Sequence, residues 1–384
     1  MIILPDEKGN FIIMKRHKKH ADLTRRNFGE IASHEIAILG TKCDLIQELV
    51  KNISERLGGR CKIAYADASH SQSVNQPLMD SYTFHKSGSL INEVSYEMNP
   101  YLNRILFSQY DLVFINGNHY KGDNQILIID EKKEASVLKR LDQLDNIQFL
   151  ISLTPKATVF DFLQEKYPQI KQLKIYAIDD IESISRHIVK LIEQNTAGIN
   201  GLVLAGGKSL RMGKDKGLLD YFGKSQRVYS MELLEKLSLK TFLSVRKEQN
   251  VEVEKVIEDK LIGLGPFGAI CSAFQYDPNK AWLVLATDLP YADESLIRLL
   301  LDNRDPGKVA TALKGKSKNF PEPLITIWEP KAYPIMLQFL ALGLSCPRKV
   351  LINSDVKIVE VEDEYIVNVN TPEEFNLVKK DLKL

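Results

Sequence analysis

Short runs of β-branched and aliphatic residues alternate with longer amphipathic stretches along most of this 384-residue sequence. The pattern predicts six strands between residues 35 and 177 and six more between residues 199 and 361. Strands that alternate with helices usually pair in parallel, because the helix is the crossover that returns the chain to the same edge of the sheet. The predicted fold class is therefore α/β, with two doubly wound units.

A polar segment separates the two series of strands. Residues 194–198 read Q-N-T-A-G and follow a predicted amphipathic helix. Small and polar residues at the end of a helix are typical of a domain boundary, and a chain of this length is long for a single core. We expect two domains, covering residues 1–195 and 199–384.

Charge and cysteine content limit the classes of partner. The 51 basic and 50 acidic residues give a formal charge of +1, which gives no reason to expect nucleic acid or an acidic membrane as a partner. No run of about 18 apolar residues and no secretory signal is visible. The four cysteines form no C-x-x-C pair, which argues against a disulfide framework or a zinc site. We expect a cytoplasmic protein whose phosphate binding, if any, is local.

The predicted strand Ile199–Leu204 runs directly into a Gly-rich, basic segment, A-G-G-K-S-L-R-M-G-K-D-K, over residues 205–216. Gly206 and Gly207 would let backbone N–H groups approach a triphosphate closely. Arg211 and Lys216 would supply charge-assisted hydrogen bonds to its oxygens. A Gly-rich turn with solvated basic residues is the alternative interpretation.

This segment resembles the signature of the molybdenum cofactor guanylyltransferases, the MobA-like branch of the nucleotidyltransferases, commonly written L-A-G-G-x-S-x-R-M-G-x-D-K. All its fixed positions are present, and the resemblance extends over about residues 199–376. It implies a Rossmann-like, glycosyltransferase-A-like fold in which Arg211, Lys216 and Asp288 are catalytic. The nucleotide-binding residues that it implies are Leu204, Ala205, Gly206, Gly207, Ser209, Arg211, Lys216, Asp259 and Asp288.

Asp288 lies in Thr287-Asp288-Leu289-Pro290, directly after a predicted strand, and this segment is similar to C-D-x-P of the family. A carboxylate at the carboxyl end of a parallel strand lies where open α/β sheets bind ligands. Oxygen is also the ligand that Mg²⁺ prefers. Asp288 is therefore the predicted Mg²⁺ ligand, and capping of the next helix is the alternative.

Three further segments contain candidate site residues. G-P-F-G-A at residues 265–269 is loosely similar to the family's G-P-L-A-G turn, and Asp259 precedes it as a nucleotide-binding or merely solvated carboxylate. N-V-N-T-P-E-E at residues 368–374 closely matches N-x-N-T-P-E-E, which makes Asn370, and after it Asn368, candidate second metal ligands or acceptor contacts. Arg348 and Lys349, at a predicted helix start, could bind an acceptor phosphate or could be solvated.

The first half resembles a P-loop protein that has lost its P-loop. Gly40-Thr41-Lys42-Cys43 follows the first predicted strand, where G-x-x-x-x-G-K-[ST] would be needed, and no second glycine follows. The segments A-D-A-S-H at 66–70, D-S-Y-T-F-H-K-S-G at 80–88 and D-L-V-F-I-N-G at 111–117 resemble those of MobB-like GTPases. The resemblance implies a degenerate MobB-like domain that binds or presents something without hydrolysing GTP.

Together these resemblances imply a Mg²⁺-dependent enzyme that transfers GMP from GTP to molybdopterin or the molybdenum cofactor and releases pyrophosphate. Cofactor-assembly proteins or apo-molybdoenzymes would be its protein partners. A cytidylyltransferase is an alternative, although that branch usually reads L-A-A-G where this chain has L-A-G-G at residues 204–207. A sugar-phosphate nucleotidyltransferase and a non-catalytic nucleotide-binding scaffold are also open at this point; Arg211, Lys216 and Asp288 argue against the scaffold.

Overall fold

The structure, a computed structural model, describes residues 2–5, 11–14, 23–69, 78–96, 99–155, 157–205, 216–247, 249, 251 and 255–382. Its strands are β1 (Ile2–Pro5), β2 (Phe11–Met14), β3 (Glu35–Leu39), β4 (Ile63–Ala66), β5 (Ser81–Phe84), β6 (Leu90–Glu93), β7 (Leu112–Asn116), β8 (Asn124–Ile129), β9 (Ile147–Ser152), β10 (Ile175–Ala177), β11 (Ile199–Leu204), β12 (Lys240–Val245), β13 (Val256–Glu258), β14 (Ala281–Ala286), β15 (Ala310–Gly315), β16 (Glu322–Trp328) and β17 (Val356–Val361). Its helices are α1 (Cys43–Leu57), α2 (Pro100–Phe107), α3 (Glu134–Leu138), α4 (Asp161–Lys166), α5 (Ile181–Gln194), α6 (Gln226–Lys236), α7 (Pro266–Tyr276), α8 (Glu294–Asp302), α9 (Ala332–Ala341), α10 (Pro347–Ile352) and α11 (Pro372–Asp381).

The first large sheet is parallel and has the strand order β10-β9-β8-β3-β7-β4. Its central strands β3 and β7 are buried along their whole length, as expected for strands covered on both faces. On one face, α1 and α5 pack Ile46, Ile53 and Ile184 against the sheet. The predicted α/β class is confirmed for this half.

The second sheet has the order β13-β12-β11-β14-β16-β15-β17 and is mixed. β16 runs antiparallel to both β14 and β15, which differs from the parallel sheet that the alternating pattern predicts. Only residues 316–321 connect β15 to β16, and so short a connection cannot hold the helix that a parallel crossover needs. The edge strand β13, of three residues, is also absent from the prediction.

The core of the second half is built around β14. Every residue of this strand is buried, and Trp282 faces Trp328 of β16 across the antiparallel pair. Eight residues of α7 are also buried, which makes it the most enclosed helix described in this half. Because β11 pairs with both β12 and β14, the carboxyl ends of these three strands meet at one edge, around Leu204, Ser244 and Ala286.

The two halves contact each other at the amino-terminal edges of their parallel strands. Nζ of Lys331 pairs with Asp111 and donates to Gly307 O at 2.6 Å. The amide of Asn279 bonds to the backbone of Arg25 and Asn27. Residues of both halves line a cavity of about 550 Å³ at this contact. No helix in the described parts of the chain is long and apolar enough to span a bilayer.

Candidate active site

The carboxyl end of β11 begins the candidate site. Leu204 and Ala205 are buried, and hydrogen bonds to neighbouring segments hold this end in place: Ala205 N donates to Ser244 O at 3.2 Å, and Thr287 Oγ1 donates to Leu204 O at 3.2 Å. Gly206, Gly207, Ser209 and Arg211 lie outside the described residues, so their roles as phosphate ligands remain predictions.

Three of the predicted site residues lie together, because Lys216 contacts both Asp288 and Asn370. Nζ of Lys216 donates to Asn370 Oδ1 at 2.7 Å and lies 3.4 Å from Asp288 Oδ2. The backbone reinforces this contact, because Val369 N donates to Asp288 O at 2.8 Å. The segment after β17 is thus fixed to the segment after β14, although Val369 and Asp288 are 81 residues apart in sequence.

Asp288 is electrostatically unusual. Its side chain is only 18% exposed, and burial raises its pKa, while the charge of Lys216 acts in the opposite direction. Its Oδ1 atom is buried and has no hydrogen bond from any residue that the structure describes. A buried, unsatisfied carboxylate oxygen is costly unless a cation completes its environment.

These donors fit a Mg²⁺ ion. The described residues contain no ready cluster of three His, Cys, Asp or Glu side chains. However, Mg²⁺ is commonly bound by one or two carboxylates, with substrate phosphates and water as its other ligands. The carboxylate of Asp288 and Oδ1 of Asn370 provide hard oxygen atoms; Lys216 contacts Asp288 through Oδ2, which leaves Oδ1 of Asp288 available to a cation.

A second polar cluster lies beside this one and includes a residue that sequence reasoning missed. Glu322, at the start of β16, is buried and accepts from Arg348 Nη2 at 3.2 Å and from Asn368 Nδ2 at 3.4 Å. Burial raises the pKa of Glu322; Arg348 lowers it, and the charge of Asp288 raises it slightly. An acid between two prolines, at the first position of an otherwise apolar strand, was the sequence signal for this residue.

The predicted phosphate site at Arg348 and Lys349 takes a different form. Both residues are exposed on α10, a helix of only six residues. The Arg348 guanidinium donates to Glu322 and to Pro321 O, so it is engaged with a buried acid rather than directed at solvent. Asn368 also donates a hydrogen bond to Glu322. The structure brings Arg348 and Asn368 together, and it does not bring Lys349 into this cluster.

Asp259 lies at the same edge of the sheet but on its outer strands. It follows β13, accepts from Ser244 Oγ at 2.8 Å, and has a pKa that burial raises and this hydrogen bond lowers. Farther along, the sequence G-P-F-G-A begins α7. A side chain at Gly268 would meet Leu261 O at 2.4 Å, which explains why this chain has a glycine where the G-P-L-A-G turn has alanine.

The MobA-like NTP transferase domain family matches residues 201–356. This part of the chain is therefore similar to a MobA-like NTP transferase domain. The domain contains β11 and β14 with Lys216 and Asp288, whereas Asn368 and Asn370 follow the matched range.

Relatives of the transferase domain are named for molybdenum cofactor synthesis. A molybdenum cofactor biosynthesis bifunctional protein of Synechocystis is 34% identical over 226 residues, which cover 54% of this chain and 64% of that protein. The chain thus matches less than two thirds of that relative. A probable molybdenum cofactor guanylyltransferase of Carboxydothermus hydrogenoformans is 29% identical over 192 residues, 47% of this chain and 95% of the relative.

Among solved structures, molybdopterin-guanine dinucleotide biosynthesis protein A of Archaeoglobus fulgidus covers 48% of this chain and 98% of its own length. It is 22% identical, with a TM-score of 0.41. A likeness at this level carries no argument here. The fold of the MobA-like NTP transferase domain is assigned from its own sheet and strand order.

In the first half, the structure explains why a phosphate loop is missing. β3 ends at Leu39 and α1 begins at Cys43, so only residues 40–42 connect them. Gly40 has a φ of 101°, and a Cβ there would lie 2.2 Å from Ile128 O, so the chain turns tightly against β8. The resemblance to MobB-like GTPases remains a prediction.

Proposed function

We propose that this chain is a Mg²⁺-dependent nucleotidyltransferase that transfers GMP from GTP to molybdopterin and releases pyrophosphate. The observation that carries the proposal is the carboxylate of Asp288, buried at the carboxyl end of the central strand with Oδ1 unsatisfied and Oδ2 near Lys216. Such a carboxylate is suited to a cation that accompanies a triphosphate.

The residues of the domain would position the reactants. The backbone at Leu204 and Ala205 opens the phosphate loop, and Arg211 and Lys216 would hold the β- and γ-phosphate oxygens. Lys216 would exchange its contact with Asn370 for these oxygens when the nucleotide binds. Phosphoryl chemistry of this kind needs in-line positioning and charge neutralisation more than a nucleophilic side chain.

Mg²⁺, held by Asp288 with Asn370 as a second candidate ligand, would neutralise the charge that develops on the α-phosphate. Glu322 and Arg348 lie on the side of Asn368 and would contact the acceptor. Arg348 can donate to the acceptor phosphate while Glu322 keeps its guanidinium in position.

The names of the relatives support the choice of base and acceptor, since those relatives are called molybdenum cofactor guanylyltransferases. Because of these names, we propose GTP as the donor for this chain and molybdopterin or the molybdenum cofactor as the acceptor. Cofactor-assembly proteins or apo-molybdoenzymes, which would use the product, are the protein partners that this activity requires.

The test is a competition among GTP, CTP, ATP and UTP, with Mg²⁺ and molybdopterin, read as pyrophosphate release. We expect at least about a tenfold preference for GTP in kcat/KM, since a base-binding site discriminates through paired polar groups. Lys216→Ala should lower kcat by about 100-fold, the usual cost of one charge-stabilising group. Lys224→Ala, which removes an exposed lysine paired with Glu232, is the matched control and should leave kcat unchanged.

A preference for CTP, or equal use of the four nucleotides, would reject the guanylyl assignment. Release of pyrophosphate that does not depend on the acceptor would reject molybdopterin as the substrate. Full activity in Lys216→Ala would show that the residues around Asp288 do not hold the triphosphate.

A further inference from the structure

A polar cluster occupies the carboxyl edge of the first sheet, away from the transferase domain. Cys43 is the first residue of α1, His119 follows β7, and Asp67 follows β4. Because β4, β7 and β3 are neighbours in that order, these three segments meet at one edge. In open α/β sheets, this edge is where ligands bind.

The distances within the cluster suit transfer of a proton from the thiol. Nε2 of His119 lies 3.3 Å from Cys43 Sγ and 3.8 Å from Asp67 Oδ1. Asp67 is itself fixed, because Tyr65 Oη and Ala68 N both donate to its carboxylate, at 2.8 and 2.7 Å. An imidazolium at His119 would thus lie between a thiolate and a carboxylate.

Several contacts favour the thiolate of Cys43. Burial alone would raise its pKa, but the side chains of Asn116, His119 and Asn118 outweigh burial and bring the pKa below its usual value. The amino end of a helix also stabilises a thiolate, and α1 is 15 residues long. Cys43 is only half-buried and forms no disulfide, so a small reagent can reach its sulfur.

The buried side chain of Asn116 is separate evidence that this cluster binds a ligand. It is fully buried at the end of β7, and its Oδ1 accepts from Asn118 N at 3.1 Å. Its Nδ2 lies close enough to Cys43, Asp67 and Tyr65 to act on the pKa of all three, but none of these contacts is a well-formed hydrogen bond. A buried amide donor whose contacts are poorly formed is costly, and a carbonyl or carboxylate oxygen of a ligand would satisfy it better.

We propose that Cys43, His119, Asp67 and Asn116 form a reactive-thiol site that takes small disulfides. The Cys43 thiol gives its proton to His119, and the thiolate attacks one sulfur of the disulfide. A new S–S bond forms as the old one breaks, and the leaving thiolate takes the proton back from His119. The exchange needs no further oxidant, and Nδ2 of Asn116 binds an oxygen of the incoming molecule.

A disulfide suits this cluster better than an acyl compound. Thiol–disulfide exchange needs a thiolate and a proton donor for the leaving group, and Cys43 with His119 provides both. Acyl transfer needs, in addition, several donors around a developing oxyanion. Within the described residues, Nδ2 of Asn116 is the buried side-chain donor of this cluster left over for such a role.

Other charged groups around Cys43 can also affect how its reaction rate depends on pH. Lys42 and Asp44 are its neighbours in sequence, and the adjoining strand ends contribute Tyr65, Asp67, His119 and Asp130, the last through a hydrogen bond from Thr41 Oγ1. Burial raises the pKa of Tyr65, so its phenol stays neutral near pH 7. The pH dependence of the exchange near neutral pH is therefore assigned to the Cys43 thiol.

The test uses the full chain and glutathione disulfide, with the rate of mixed-disulfide formation at each cysteine followed by peptide mass spectrometry between pH 6 and 8. Cys346 is the internal reference, because it is exposed and also precedes a helix. We expect Cys43 to react at least about tenfold faster than Cys346 at pH 7, because its thiolate is stabilised. His119→Gln should move the pH profile of Cys43 upward and lower its rate at pH 6.5 about fivefold, with no change at Cys346.

Cys61 reports whether the first half is folded in the variant. Burial raises its pKa to about 11, so it should stay unreactive as long as α1 and the first sheet are intact. A Cys43 rate no higher than that of Cys346 in the wild-type chain would overturn the proposal without any variant. If the pH profile of the Cys43 rate were unchanged in a folded His119→Gln chain, His119 would not take the thiol proton, and the proton step would be overturned.

Discussion

The burial of Asp288 has opposite effects on the stability of the metal-free protein and on its proposed function. Burial raises the pKa of its carboxyl group, so the folded chain binds this proton more tightly than the unfolded chain does. The folded state is therefore favoured most below the ordinary pKa of aspartate. It loses this advantage as the pH rises from there through the higher folded-state pKa, and the ionised side chain of the metal-free protein is then poorly solvated.

Asp288→Asn should remove that cost and abolish the activity at the same time. We expect the free energy of unfolding at pH 7 without Mg²⁺ to rise by about 1 kcal/mol, or roughly 2–4 °C in Tm, since a buried neutral amide replaces a buried charge. Nucleotidyl transfer should fall to background. Thermal melts in chelator at pH 7 and pH 4 measure the first effect, which should shrink at pH 4.

Asp293→Asn is the matched control for this prediction, because it changes a nearby carboxylate that only caps α8. Asparagine is also a good N-cap residue, so little change in Tm or in transfer is expected. A drop in Tm for Asp288→Asn, or transfer that persists, would mean that Asp288 pairs with Lys216 for structural reasons alone.

At this scale the sequence indicated some site residues and not others. Asp288, Lys216 and Asn370 were predicted separately, and the structure brings them within hydrogen-bonding or ion-pair distance. Glu322 was not predicted, because a buried acid in a strand is recognisable only when its partners are known. Those partners, Arg348 and Asn368, are 26 and 46 positions away in the sequence.

At the scale of elements, α11 connects helix capping with the site. Its predicted capping box is confirmed: Thr371 Oγ1 accepts from Glu374 N at 3.3 Å, and Glu374 Oε2 accepts from Thr371 N at 3.0 Å. The same carboxylate also accepts from Asn370 N at 2.6 Å. The cap therefore fixes the backbone of a residue whose side chain contacts Lys216.

Glu374→Ala should consequently reduce both stability and activity. We expect a loss of about 1 kcal/mol in the free energy of unfolding from the cap, and a several-fold fall in kcat because Asn370 loses its backbone anchor. Asp293→Ala, which removes the cap of α8 in the same domain, should cost similar stability and leave kcat unchanged. Chemical denaturation measures the loss of stability, and the transfer assay measures kcat. Equal kcat values for the two variants would show that the cap of α11 does not position Asn370 for the reaction.

Helices and buried strands were predictable where periodicity and length gave a strong signal. Strand direction was not, because the alternation of apolar residues in β16 is the same whichever way the strand runs. The exposed hairpin of β5 and β6 was missed for a similar reason: its residues face solvent and show no alternation of burial. Residues 80–88 were interpreted instead as a family motif, and that resemblance remains a prediction.

At the scale of the whole molecule, the two sheets contact each other by the edges opposite to their sites. Several residues that line the cavity between the halves lie just before strands, among them His34, Asp111, Ala197 and Asn279. The clusters around Asp288 and Cys43 lie at carboxyl edges. Within the described residues, each candidate site thus lies away from the interface and is built from residues of its own half.

This arrangement predicts one GTP site per chain. Residues 40–42, between β3 and α1, are too few to surround a triphosphate, and no hydroxyl follows Lys42 to hold Mg²⁺. Calorimetry of the full chain with GTP and Mg²⁺ should give a single site, and phosphate release without acceptor should stay at background. Lys216→Ala should weaken that binding at least about tenfold, since it removes a charge-assisted contact.

Lys42→Ala is the matched lysine variant in the first half. It should leave both the affinity and the stoichiometry of GTP binding unchanged, because Lys42 is exposed at the start of α1 and lies in no loop that could enclose phosphates. Two GTP molecules per chain, one of them lost in Lys42→Ala, would show that the first half binds GTP through a different phosphate loop. The tight turn at Gly40 against Ile128 O would then have to open when GTP binds.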